Sequence, residues 1–160
     1  MLYMIGDKIV YPMHGAGIID SIEDSEVLGE IRQYYILKLP FGNMKLMIPV
    51  NNTIKLGIRN VIEDEYVPTV IERISEKCVV STVNWNKRHR DNLEKLRSGD
   101  ILEVADVYKF LTCREKDRNL STGEKKMLTS SKQILFSELL LSTGKDVCEI
   151  EAIVEVAVNI

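Results

Sequence analysis

The residues best suited to chemistry are Asn84-Trp85-Asn86-Lys87-Arg88-His89-Arg90, which join the only tryptophan to three fixed cations and one of two histidines. A flat indole beside Lys87, Arg88 and Arg90 suits nucleic acid, because the cations bind phosphate and the ring can stack on a base or wedge against one. Lys125 and Lys126 form a second basic patch at the start of an expected helix, where free amides add to phosphate binding. Catalytic chemistry lacks its partners. Neither His14 nor His89 has a Cys, Ser or carboxylate at a catalytic spacing, and Gly15-Ala16-Gly17 is not followed by a G-x-G-x-x-G pattern or a phosphate-loop lysine. Cys78, Cys113 and Cys148 are odd in number and far apart, so neither a disulfide framework nor a zinc site is expected. The chain reads as a non-enzyme without a cofactor.

A formal charge of -3 over 160 residues would argue against nucleic acid if it were evenly spread. It is not. Residues 1–83 carry 8 Lys and Arg against 11 Asp and Glu, residues 84–133 carry 12 against 8, and residues 134–160 carry 1 against 5. A basic middle of net +4 between acidic ends concentrates the positive field on one region. The excess is modest, so affinity for free duplex should be weak and sensitive to salt. No apolar run approaches a membrane span and the start lacks a signal-peptide pattern, which together predict a cytoplasmic protein.

Two kinds of element must position these residues. Up to about residue 60 the pattern is β-like. Lys8–Pro12, Ala16–Ile22 around a bend at Gly17, Gln33–Leu39 and Met44–Pro49 read as short strands. Pro40-Phe41-Gly42-Asn43 reads as a hairpin turn, since Gly and Asn tolerate positive φ. Strands this short suit a small, strongly bent SH3- or Tudor-like barrel. Residues 61–67, with the acidic Glu63-Asp64-Glu65, read as a linker, and from Pro68 the period becomes helical. Helices are expected from Pro68, over about 86–97, after Ser98-Gly99-Asp100, after the capping box Ser121-Thr122-Gly123-Glu124, and after Gly144. The expected fold is therefore α+β in two domains, a β module over 1–60 and a compact all-α module over 68–160.

For Trp85 the residues leave two readings open. At 100° per residue it shares a face with His89, Leu93 and Leu96, which predicts a core tryptophan. Asn84 and Asn86 are both suitable N-caps, however, and either would put Trp85 at or before the helix start, partly unpacked beside the cations. The basic side chains have a plain reading too, as a solvated helix surface paired locally with Asp91 and Glu94.

Gly6-Asp7-Lys8-Ile9-Val10-Tyr11-Pro12-Met13-His14-Gly15-Ala16-Gly17 resembles the opening signature of the CarD/CdnL family of bacterial transcription regulators, a module shared with the transcription-repair coupling factor. Asn84-Trp85-Asn86-Lys87-Arg88, Asn92-Leu93-Glu94-Lys95-Leu96 and Leu120-Ser121-Thr122-Gly123-Glu124-Lys125-Lys126-Met127-Leu128 are similar to that family's C-terminal half. The resemblance implies a monomeric, nucleoid-associated protein whose Tudor-like domain docks on the β subunit of RNA polymerase. The helical domain would then lie on promoter DNA without reading its sequence. It also implies that Trp85 wedges at the upstream edge of the transcription bubble while Lys87, Arg88, Arg90, Lys125 and Lys126 hold phosphates. Val27, Met47, Ile48 and Pro49 are the candidate polymerase contacts, on an edge strand suited to β-augmentation, although alternation alone also allows them in the core. Some relatives carry arginines where this chain has Ser25 and Met47, which removes a charge-assisted contact. The competing function is a protein-interaction adaptor whose helical half binds a protein rather than DNA.

Overall fold

The computed structural model describes residues 2–78 and 83–159. Five strands come first: β1 (Lys8–Tyr11), β2 (Gly15–Val27), β3 (Glu30–Lys38), β4 (Lys45–Pro49) and β5 (Arg59–Asn60). They form one antiparallel sheet in the order β4-β3-β2-β1-β5. Among the described residues the ladder ends at β4 and β5, with no pairing between them that would close a barrel. Ile9, Ile19, Tyr35, Leu37, Leu39, Ile48 and Ile58 form the core of this half.

The turn at 40–43 behaves as its residues require, with Gly42 at φ 66 and Asn43 at φ 54. The bend in β2 lies elsewhere than expected. The register shifts between Ile19 and Ser21, so Asp20 is the bulged residue and Gly17 is not. Gly17 is there for space: a Cβ would come within 2.6 Å of the Lys38 carbonyl oxygen on the neighbouring strand. Gly15 has φ 118, and its bare Cα faces Ser137 of the helical half. The two glycines thus admit a strand on one side and a helix on the other.

Five helices follow: α1 (Val67–Ser75), α2 (Trp85–Arg97), α3 (Ile101–Asp117), α4 (Thr122–Thr143) and α5 (Val147–Val158). Local signals set their ends. Asn84, Asp100, Ser121 and Asp146 each cap a helix by accepting a hydrogen bond from a first-turn amide, and Gly144 ends α4 in the left-handed conformation. The capping box at Ser121 and Glu124 is formed in both directions. Val70, Ile74, Leu96, Val104, Leu111, Leu135, Leu139 and Val154 are among the residues of a second, separate core.

The helix α4 joins the two halves. Arg59 of β5 donates from both terminal nitrogens to the Glu138 carboxylate at 2.6 and 2.7 Å, and from Nε to the Gly99 carbonyl at 2.8 Å. Glu138 also accepts from the Ile62 amide at 2.9 Å, and its side chain is almost fully buried. The Ala16 amide donates to the Ser137 hydroxyl at 2.9 Å, while Ser142 donates to the Ile62 carbonyl and Lys8 to the Leu141 carbonyl. A bidentate guanidinium–carboxylate fork fixes orientation as well as distance. The β module is therefore held on one face of α4, and the N-terminus of that same helix carries the basic patch.

One expectation fails here. Cys78 and Cys113 form a disulfide, their Cα atoms 6.1 Å apart. Separation by 35 residues in sequence said nothing about distance in space, because α1 packs against α3 and brings the end of one beside the other. Cys148 is free and exposed.

Candidate nucleic-acid interface

The interface begins with a cap. Asn84 has extended backbone (φ -64, ψ 162), and its side-chain oxygen accepts from the Lys87 amide at 2.9 Å. Asn84, and not Asn86, therefore starts α2, and Trp85 becomes the first helical residue. Helical side chains lean toward the N-terminus, so an indole at this position overhangs the end of the helix with no earlier turn to cover it. Trp85 is 42% exposed. The core reading from periodicity is thereby corrected: Leu96 and the half-buried Leu93 carry the apolar stripe into the core, and Trp85 lies beyond its end. One turn along, the His89 ring stacks on the indole with centroids 4.8 Å apart and planes 13° from parallel.

The N-terminus of α4 abuts this pair. A Cβ on Gly123 would lie 3.7 Å from both Trp85 Cζ2 and His89 Cε1. Two residues on, Lys125 and Lys126 are exposed, as is Arg90 on α2. The fold thus sets the second basic patch, some 35 positions along the chain, at a helix end that abuts the half-exposed indole.

The five cations are not equivalent. Lys87 is exposed and makes an i,i+4 pair with Asp91 at 3.2 Å, a link weak enough for phosphate to displace. Arg88 differs from the expectation of a free phosphate ligand. Its side chain is 10% exposed, donates to the Val83 carbonyl at 3.0 Å and lies 3.8 Å from the Glu124 carboxylate. Arg114 of α3 sits 3.1 Å from the same carboxylate, an ion pair without hydrogen-bond alignment. Arg88 therefore ties α2 to α4. Glu124 also changes the anion-binding end of α4, since its carboxylate and the Ser121 hydroxyl already engage two backbone amides there. The exposed ammonium groups of Lys125 and Lys126 are what that end offers a phosphate.

Behind α2 lies a cavity whose lining includes Arg73, Asn92, Lys95, Asp106, Lys109 and Phe110. Arg73 and Asp106 form a bidentate pair across it at 2.7 Å, and this partner raises the Arg73 pKa. Lys109 is buried with no hydrogen-bond partner for its amine. Burial pushes its pKa down, and Glu76 and Asp106 offset part of that shift.

The polymerase-contact candidates in the β module separate in the same way. Met47 is 49% exposed on the terminal strand β4, and Val27 is 39% exposed at the end of β2. Pro49 is half-buried where β4 ends. Ile48 is fully buried among Ile9, Tyr35 and Leu37, so its side chain is closed to a partner. Alternation along the strand, which left this open in sequence, puts Ile48 in the core and Met47 on the surface. Sequence reading passed over Leu28, fully exposed at φ 53, and Ile31, 76% exposed, which crown the β2–β3 arm beside Val27. Two large aliphatics flanking Gly29 in an otherwise polar tip were the available signal.

Residues 3–62 match the CarD-like/TRCF RID domain, and residues 69–155 match CarD, C-terminal domain. The chain belongs to the CarD family. A Bacillus subtilis protein named "Putative transcription factor YdeB" is 36% identical over 143 residues, covering 89% of this chain and 94% of its own length. In CarD terms the five-stranded sheet is the RID module, and the cluster around Trp85 and Lys125 belongs to the C-terminal module. Among the described residues no His, Cys, Asp and Glu side chains gather to hold a metal, and no helix is long and apolar enough to cross a membrane.

Proposed function

We propose that this CarD-family chain is a cytoplasmic transcription regulator that docks on the β subunit of RNA polymerase through its β module and stabilises the open promoter complex through its helical module. In this reading the β module is a bent, Tudor-like sheet, and Met47, Val27 and the β4 edge make the docking surface. Trp85 fills the gap at the upstream edge of the melted region, while Arg90, Lys125, Lys126 and Lys87 hold the flanking phosphates. Arg88 acts indirectly, by fixing α2 to α4. The observation that carries the proposal is the half-exposed indole at the tip of α2 with exposed cations from two helices around it. Protein–protein interfaces are depleted in lysine, so the exposed Lys87, Lys125 and Lys126 favour phosphate over a protein partner.

Two results are expected. In the full-length chain, Val27→Asp and Met47→Asp should each weaken binding to polymerase while leaving the circular dichroism and melting of the chain near wild type, because both side chains are outside the core. Normal polymerase binding by both folded variants would misplace the docking surface. On DNA, removing Arg90 or Lys125 should flatten the dependence of affinity on salt by about one unit per lost phosphate contact. Isolated duplex should bind weakly whatever its sequence. Tight, salt-insensitive, sequence-specific binding of free duplex would instead indicate an operator-reading protein.

A further inference from the structure

His89 is the strongest unexplained feature of the interface. It stacks on Trp85 nearly face to face, covering one face of an indole that is still 42% exposed. Its Nδ1 is buried yet has no hydrogen-bond partner. A buried polar nitrogen left unpaired calls for another reason to be there, and ring contact supplies one: the imidazole is held by packing face to face on the indole, with the bare backbone of Gly123 against one edge of both rings. Arg88, its sequence neighbour, is drawn away toward Glu124 and Val83, so it does not compete for the indole face.

Resting on the proposed wedge, we infer that His89 is a positioning residue for Trp85: it backs the indole on its helix-facing side and leaves the opposite face ready for a base. An indole in the first turn of a helix, without this backing, would sample several rotamers, and each encounter with melted DNA would have to order it. Immobilising a side chain on binding carries an entropic penalty that a pre-ordered ring avoids. The flat shape of the ring is what matters here. A phenylalanine should therefore substitute for it, and a non-aromatic side chain of similar polarity should not.

The test uses the full-length chain, in which Trp85 is the only tryptophan, so indole emission reports this one ring. His89→Gln and His89→Ala should lower the time-resolved anisotropy of Trp85 by freeing fast local rotation. Both should shorten the open-complex lifetime about three- to tenfold, with melting temperature and polymerase binding near wild type. His89→Phe should restore anisotropy and lifetime together. Unchanged anisotropy in His89→Gln and His89→Ala would overturn the stack as a restraint on Trp85. Lowered anisotropy without any loss of lifetime, where Trp85→Ala does shorten it, would overturn the positioning role. If Trp85→Ala itself leaves the lifetime unchanged, the wedge fails, and the anisotropy result still decides the restraint by itself.

Discussion

Replacing Trp85 by alanine should shorten the lifetime of the open promoter complex by about tenfold or somewhat more, with little change in polymerase recruitment. Stacking of a base on an aromatic side chain is worth roughly 1–3 kcal/mol, and each 1.36 kcal/mol corresponds to a factor of ten in rate. In the proposed function the contact forms only once the upstream base step has opened, so it should slow collapse without affecting arrival. Competitor challenge of preformed complexes measures the lifetime, and co-purification with polymerase measures recruitment. The structure also fixes what should not happen. A core tryptophan truncated to alanine costs about 3–5 kcal/mol of folding stability. Trp85 is 42% exposed, so its truncation removes only a partial burial and should cost less, about 2 kcal/mol. A loss near the core value would place the indole inside the protein and end the wedge.

The largest effect on stability is expected at Glu138. Truncation to alanine leaves the Arg59 guanidinium and the Ile62 amide without their acceptor at the seam between the two halves. Removing one partner of a buried, hydrogen-bonded charge pair costs about 3–5 kcal/mol. Arg59 retains 30% side-chain exposure and can turn toward water, which favours the lower end, about 3 kcal/mol. For a chain of this size that corresponds to a fall in melting temperature of roughly 6–12 °C. Glu138→Gln, which keeps the shape and one acceptor, should fall less. Thermal denaturation of the two variants decides it, and a shift below about 2 °C for Glu138→Ala would mean the latch contributes little. The functional consequence follows from geometry. If, as proposed, the β module docks on polymerase and the tip of α2 on DNA, loosening α4 from β5 should weaken open-complex stabilisation even with Trp85 intact.

Local chemistry accounts for what the sequence made legible. Ser121 and Glu124 satisfy each other's amides within four residues, and Gly42 and Asn43 need no distant partner to adopt positive φ, so these ends and turns were readable without the fold. What was hidden depends on separation. Arg59 and Glu138 are 79 positions apart, Ala16 and Ser137 are 121 apart, and nothing in the periodicity of either segment marks the partner. Cys78 and Cys113 were discounted for the same reason. Trp85 shows the opposite failure. The helical wheel treats every position as flanked by full turns, whereas a residue next to its cap has no turn before it, and this one is exposed for that reason. Arg88 and Arg90 looked alike in sequence, yet Glu124, delivered by another helix, draws in the first and leaves the second exposed.

In the proposed function the indole at position 85 meets melted DNA only within the polymerase complex. A photo-crosslinking amino acid at position 85 of the full chain, irradiated with polymerase on a promoter fragment labelled in either strand, tests it most directly. Crosslinks are expected at nucleotides on the upstream edge of the melted region, strong in the open complex and lost when polymerase is omitted. Crosslinks confined to protein, or equal labelling of free duplex and open complex, would contradict it.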